Sequence, residues 1–427
     1  MEMKTVGSIP KFIFVSNYIN HHQLPFCKAM WQLLKGDFVF IQTEPMEEER
    51  IRMGWAAQVD SDFVKYYYKE PELCREWIAA CKVVLFGGTD EESYIVERLK
   101  AGKSVIRYSE RLYKTGQWKA VSPRGLLKKY KDHTCYRKQN VYMLCSGAYV
   151  AADFHIVRAY PNKCLRWGYF PETRHYDVEQ LMDGKKARHI LWAGRFLDWK
   201  HPELPLKTAK YLKDKGYSFH MDMIGGGELE KEVWELYETY QLQDCVTMQG
   251  YCTPEKVRRF MEQADIFLQT SDRQEGWGAV VNEAMNSGCA VIGNHMIGAV
   301  PFLIQQERNG MIYQDGREEM LYSMTEELLK DRDKCQELGK NALQTICQEW
   351  NAETAAKRLV QFCLKMDFLQ KEDVTLQEME QMMCLEGECN ERQGMFASGP
   401  CSPAPVLNEK YVYGALHIAA DIFKYEI

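Results

Sequence analysis

HILWAGRFLDWKHPELPLKTAKYLKDKG, residues 189–216, contains in one stretch the unit from which the chain is built. HILWAG is an apolar run of strand length, and its closing glycine lets the chain turn. HPELPLKTAKYLKDKG then carries helical spacing and stops at a second glycine. This strand, loop and helix recur downstream. FHMDMIGGG (219–227), CVTMQGY (245–251), ADIFLQT (264–270) and CAVIGN (289–294) are further apolar runs, with GELEKEVWELYETYQ and PEKVRRFMEQ as helices between them. The same alternation runs upstream through KFIFVS (11–16), DFVFIQ (37–42), KVVLFGG (82–88), KSVIRY (103–108), VYMLCSG (141–147) and KCLRWGY (163–169). Helical stretches divide these runs: HHQLPFCKAMWQLL (21–34), and DEESYIVERLKAG (90–102), which opens after Thr89 and stops at Gly102. Strands that are apolar from end to end belong to parallel sheets covered on both faces.

Polar, turn-rich PETRHYDVEQLMDGKKAR, 171–188, separates the two series and reads as a linker. The expected fold class is therefore α/β, with two doubly wound Rossmann-like domains facing across a cleft. The first domain spans 1–170 and the second 189–350. Beyond about 330 the texture is helical, in DKCQELGKNALQTICQEW (333–350) and NAETAAKRLVQFCLKM (351–366). A helix within 351–370 is expected to pack back toward the first domain. Residues 371–427 form a tail without assigned chemistry, including the Pro/Ser/Gly stretch ASGPCSPAPV (397–406).

The 427 residues are 46% hydrophobic and 27% charged, enough to bury two sizeable cores. A formal net charge of −6 argues against a nucleic-acid partner. RGLLKKYKDH, 124–133, is a local basic stretch that reads either as a contact for an anionic membrane surface or as a solvated helix face. The sequence shows neither a spanning run of roughly 18 apolar residues nor a signal peptide, so a cytoplasmic protein is expected. Fifteen cysteines are scattered along the chain, and Cys384 and Cys389 lack the neighbours of a zinc site.

Four loops follow strands of the second half, where ligands of such sheets bind. WAGRFLDWKH, 192–201, offers Arg195 and Lys200, two cations that suit a diphosphate but, taken alone, read more readily as solvated surface charges. MIGGGELEKEV, 223–233, places Gly226 in a glycine turn before a helix, where a phosphate or a mere tight turn fits. EGWGAVVNEAMNSG, 275–288, sets Glu275 before the turn of Gly276, Trp277 and Gly278, and Glu283 one turn into the next helix. The helix start offers N–H groups to an anion, and a carboxylate can accept two hydrogen bonds from a vicinal diol. The bland reading of the pair is one cap acid and one surface acid. NHMIGAVPFLIQQERNGMIY, 294–313, adds the small-residue loop at Gly298 and Ala299 and a turn at Asn309 and Gly310.

In order and spacing these pieces resemble the nucleotide-recognition half of the group-1 (family 4) glycosyltransferases, which have the two-domain GT-B fold. The resemblance runs from about 189 to 315: GRFLDWK matches the family's G-R-x-x-x-x-K, IGGGELE its glycine turn, ADIFLQTSDRQEGWGAVVNEAMNSGCAVI its E-x7-E region, and NGMIY the segment after it. It implies that Arg195 and Lys200 bind the donor diphosphate, that Glu283 grips the nucleotide ribose and that Glu275 faces the transferred sugar. It also implies transfer from a nucleotide-sugar donor with retention of configuration and without a required cofactor or metal. The acceptor class it suggests is a glycan or lipid-linked molecule of surface polysaccharide assembly, at the inner membrane face. The chain departs from the family pattern at His201, where glycine is common, and in SNYINHHQLPF (16–26), which lacks a glycine turn. In RYSERLYK (107–114), Glu110 is the expected acceptor-side acid, with a salt bridge to Arg107 or Arg111 as its structural alternative. His21 and His22 are lesser candidates that also simply precede a helix. Other readings stay open: a GT-B-shaped sugar-nucleotide epimerase, or a non-catalytic sugar-nucleotide-binding protein. A nicotinamide dehydrogenase would need a glycine fingerprint after the first strand, and KFIFVSNYIN has none.

Overall fold

The computed structural model describes residues 9–48, 62–116, 120, 122–374, 398–407 and 409. They form two compact units, one of Met1–Ser146, Val150–Glu172 and Ala352–Val406, the other of Gly147–Tyr149, Thr173–Asn351 and the segment from Leu407.

In the first unit the strands are β1 (Phe12–Ser16), β2 (Phe38–Gln42), β3 (Val64–Tyr66), β4 (Val83–Phe86), β5 (Val105–Ser109), β6 (Val141–Ser146) and β7 (Cys164–Trp167). They lie parallel in the order β3-β2-β1-β4-β5-β6-β7. Helices α1 (Leu24–Leu33), α2 (Pro71–Ala80), α3 (Val96–Lys100), α4 (Pro123–Asp132) and α5 (Val150–Ile156) fall between them in sequence. FIFVS and VVLF are buried at every position, as strands covered on both faces must be.

The second unit repeats the plan with β8 (Lys186–Ala193), β9 (His220–Ile224), β10 (Val246–Gly250), β11 (Ala264–Gln269), β12 (Ala290–Asn294) and β13 (Met311–Tyr313). Their order is β10-β9-β8-β11-β12-β13, again parallel. Its helices are α6 (Val178–Asp183), α7 (Glu203–Asp214), α8 (Glu230–Thr239), α9 (Pro254–Gln263), α10 (Ala279–Asn286), α11 (Val300–Leu303), α12 (Glu318–Lys330) and α13 (Arg332–Gln348). Trp192, Leu206, Met223, Ile266 and Leu338 belong to one buried cluster, which ties β8, β9 and β11 to α7 and α13. The order of strands reverses between β8 and β11. In open α/β sheets the carboxyl ends of the two strands at such a switch point are the usual ligand position.

Helix α14 (Ala352–Lys365) rejoins the first unit and packs along α1. Of residues 171–188, read from sequence as linker, those from Thr173 on belong to the second unit. Arg174 pairs with Glu262 at 2.9 Å, Lys185 Nζ donates to the Ala264 carbonyl at 2.6 Å, and Asp177 caps α6 through the Gln180 N–H at 2.8 Å. The helix expected over 90–102 is broken into a 3-10 turn, Glu92–Tyr94, and α3, with Glu92 turned inward to an ion pair with buried Arg107. The stretch ASGPCSPAPV is also more than a connector. From Ser398 on it is described, and it lies against β7, with Arg166 N–H donating to Ser402 O at 2.7 Å and Cys401 N–H to Arg166 O at 2.9 Å. It covers an otherwise open sheet edge. Cys384 and Cys389 lie outside the described residues.

Candidate functional site

The loops leaving β8, β9, β11 and β12 are stitched together by backbone hydrogen bonds. Gly194 N–H donates to Ile224 O at 3.0 Å, Phe196 N–H to Gly226 O at 2.9 Å and Leu229 N–H to Phe196 O at 3.0 Å, which joins the Arg195 loop to the glycine turn. Gly225 has φ +144°, and a Cβ there would stand 1.8 Å from the Gly194 carbonyl oxygen, so only glycine permits this approach. Asp272 N–H donates to Trp199 O at 2.9 Å, joining the β8 loop to the β11 loop. Thr270 closes the same junction: its hydroxyl accepts from Trp192 Nε1 at 2.8 Å and donates to Lys200 O at 2.7 Å. Ala299 N–H donates to Trp277 O at 2.9 Å, and a Cβ on Gly298 would stand 1.9 Å from Gly276 O, so the β12 loop seats directly on the Gly-Trp-Gly turn.

On this frame Lys200 forms an ion pair with Glu275, and Ser271 Oγ donates to the same carboxylate at 3.0 Å. Both charged groups are largely covered, with side chains 16% and 13% exposed. The Lys200 ammonium also lies 4.5 Å from the centre of the Trp199 ring. Arg195 is exposed and forms no ion pair with a described residue. The two cations expected to bind a diphosphate thus leave the same strand, one held by a carboxylate and one open. Gly226 is buried beneath Tyr251, whose ring would meet a Cβ at 2.7 Å. Gly278 stands at φ +90° at the start of α10 beside the Glu275 side chain.

Glu283 lies half-buried on α10, and burial raises its carboxyl above the usual range against the lowering influence of Arg258 and Arg174. No hydrogen bond or ion pair links Glu283, Arg195 and Lys200 to one another among the described residues. The Trp277 ring is fully buried. It donates to Asn282 Oδ1 at 2.8 Å and packs 5.8 Å from Trp350. Its ring therefore braces the turn from within.

His201, which sequence reading noted only as a departure, has a structural part here. It adopts φ 50°, ψ 58°, the left-handed conformation that favours glycine. Its ring lies between Asp272, 3.6 Å from Nε2, and Glu203, 3.1 Å from Nδ1. These two acids raise the imidazole to about 10, Asp272 contributing most. Burial pushes Asp272 upward, but hydrogen bonds from His201 and the Gln274 N–H outweigh it and leave the carboxyl below its ordinary value. Ser271 and Thr270 were missed altogether, although LQTSDRQEG places both at the end of β11, where polar residues after an apolar run could have marked them.

In the first unit Glu110 accepts from Tyr169 OH at 2.7 Å and pairs with Lys114. Neither expected arginine is its partner: Arg107 pairs with Glu92, and buried Arg111 faces Asp153 at 3.5 Å. The His22 ring stacks at 6.4 Å on Tyr169, and burial, reinforced by the neighbouring His21, lowers its imidazole to about 3. His21 and His22 precede α1.

Residues 177–345 match the family described as glycosyl transferases group 1. Over 156 residues the chain is 28% identical to the amylovoran biosynthesis glycosyltransferase AmsK of Erwinia amylovora, covering 35% of this chain and 38% of that one. The chain spans about two fifths of the length of the curated relatives it matches. Among solved structures, Anabaena Alr3699/HepE in complex with UDP and glucose superposes with a TM-score of 0.59 at 12% identity, over 83% of this chain and 99% of that one. A glycosyltransferase from Rickettsia africae superposes with a TM-score of 0.59 at 14% identity, over 84% and 98%. At such identities the likeness shows the fold: two Rossmann-like α/β units of the GT-B kind.

Proposed function

We infer that this chain, whose residues 177–345 match the group 1 glycosyl transferases, moves a sugar from a nucleoside diphosphate donor to a glycan or lipid-linked acceptor. The observation that carries this is the polar cluster on the loops that leave β8 and β11. There Lys200, Glu275 and Ser271 are assembled at the switch point, with Arg195 open on the adjoining loop.

In this reading the diphosphate draws Lys200 partly away from Glu275 and recruits Arg195 from solvent. The bond from the sugar's anomeric carbon to the diphosphate oxygen breaks, and its electron pair leaves with the phosphate. Arg195 and Lys200 stabilise that charge, a task a metal performs elsewhere, so no cofactor is required. Glu275, released from Lys200, faces the sugar hydroxyls, while Glu283 accepts from the ribose diol. The acceptor hydroxyl attacks from the side the diphosphate leaves and gives its proton to the departing phosphate oxygen, which retains the anomeric configuration. Glu110 lines the acceptor side. The likeness to an amylovoran biosynthesis enzyme supports surface polysaccharide assembly as the setting, in the cytoplasm at the inner membrane face.

A screen of sugar nucleotides with each common base tests this reading, with the product's anomeric centre assigned by NMR. Transfer with retention supports it. Donor cleavage with no acceptor dependence, or binding without turnover on any donor, favours the epimerase or the non-catalytic reading instead.

A further inference from the structure

Helix α4 carries its apolar stripe on the outside. Pro123, Leu126, Leu127 and Tyr130 recur at i, i+3, i+4 and i+7, a spacing that in a globular unit faces the core. Here Leu126 is 42% exposed, Leu127 56% and Tyr130 57%, and the helix has no buried residue. Its two ends are nevertheless fixed. Ser122 caps the start through the Gly125 N–H, and beyond the end His133 Nδ1 meets Tyr160 OH at 2.8 Å while Thr134 donates to Val157 O at 2.8 Å. The anchored helix therefore presents three large apolar side chains to solvent.

The exposed charges within the helix are cations; Asp132 closes it, and Asp90 and Glu91 of the loop after β4 act on Lys129 and Lys128. Positions 124–131 hold four cations and no acid, in a chain whose net charge is −6. Arg124, Lys128 and Lys131 are exposed and form no ion pair with a described residue. Lys129 is half-buried on the inner side. A second copy of the chain is a poor occupant, because a two-fold contact would set these cations against themselves. A bilayer with anionic headgroups satisfies both features at once, as it takes apolar side chains at the headgroup boundary and cations just above it.

We propose that the outward face of α4, through Leu126, Leu127 and Tyr130 with Arg124, Lys128 and Lys131, docks the protein on an anionic phospholipid surface. This deepens the membrane placement proposed above and rests on it, but it draws on no residue of the transfer site. The helix lies in the interface plane and crosses nothing. Among the described residues, no helix is long and apolar enough to span a membrane.

The test is co-sedimentation of the full chain with vesicles of phosphatidylcholine and phosphatidylglycerol, against vesicles of phosphatidylcholine alone. Binding is expected on the anionic vesicles, weakening as salt screens the cations. Leu127→Glu should lower the partition about tenfold, and each of Arg124→Gln, Lys128→Gln and Lys131→Gln about fivefold. Equal partition to both vesicles, or variants that bind as the parent does, would overturn the proposal. So would a dimer in light scattering that Leu127→Glu disperses while vesicles bind nothing. Circular dichroism and nucleoside diphosphate titration of the same variants separate the two readings. Lost vesicle binding with intact diphosphate binding is expected of the variants. A parent chain that ignores vesicles but binds diphosphate sinks only the docking proposal, and one that binds vesicles but no diphosphate sinks only the transfer reading.

Discussion

Replacing His201 separates backbone strain from charge pairing at one position. A non-glycine residue in the left-handed region costs about 1–2 kcal/mol, and His201 sits there at φ 50°. Its compensation is the imidazolium between Asp272 and Glu203. A rise from 6.5 to about 10 would be worth at most about 5 kcal/mol at 1.36 kcal/mol per unit. The ring is 31% exposed and Glu203 28%, so solvent screening reduces this to about 1–2 kcal/mol. His201→Ala keeps the strain and loses the pairing, so it should cost about 1–2 kcal/mol at neutral pH. His201→Gly sheds the strain as well and should fall within about 1 kcal/mol of the parent. Because the folded value is raised, the pairing contributes in full below the unfolded value of 6.5 and fades as pH rises toward about 10. Urea unfolding of the full chain, followed across that range, reads both effects. The reasoning fails if the alanine and glycine variants are equally stable, or if the parent's advantage over alanine stays constant from neutral pH to above pH 10.

Gly225→Ala should destabilise the second unit by about 2–4 kcal/mol and weaken donor binding with it, since the added methyl meets the Gly194 carbonyl at 1.8 Å; thermal melting that matches the parent would contradict this. Donor affinity should decline in mild acid, beginning above the ordinary carboxylate range, because burial raises Glu283 and only its ionised form accepts both diol hydrogens. Glu283→Gln should flatten that profile, and calorimetry at several pH values checks it. Trp277→Phe should lower stability by about 1 kcal/mol through the lost bond to Asn282, yet leave donor affinity near that of the parent. A large affinity loss at unchanged stability would restore the ring as a ligand contact.

The fold was legible because parallel strands advertise themselves. KFIFVS, KVVLFGG and ADIFLQT each hold an unbroken apolar run closed by polar or turn residues, and β1, β4 and β11 lie within them. The pairing order was not legible, since the hydrogen bonds that set it lie between segments far apart in sequence. The break in 90–102 depends on Arg107, whose buried guanidinium needs Glu92, and no local pattern announces that need. Residues 173–188 look like a linker because they are polar, yet Arg174 and Lys185 find acceptors only once α9 and β11 are in place. In the site, Lys200 and Glu275 stand 75 positions apart; the family resemblance put both in one site, but not their pairing. Burial of Trp277 was hidden for the same reason: its packing partner Trp350 follows the last helix of the second unit. His201 could be seen as an irregularity, but its function as a charged strut required Asp272 and Glu203 to be placed around it.

Calorimetric titration with UDP, GDP, ADP and CDP bears most directly on the polar cluster. At least one diphosphate should bind, with Lys200→Ala and Arg195→Ala each weakening it roughly ten- to a hundredfold. Arg195→Ala should leave the melting temperature unchanged, since that side chain is exposed. If no nucleoside diphosphate binds, or if both variants bind as tightly as the parent, the cluster on the loops that leave β8 and β11 is not the donor site.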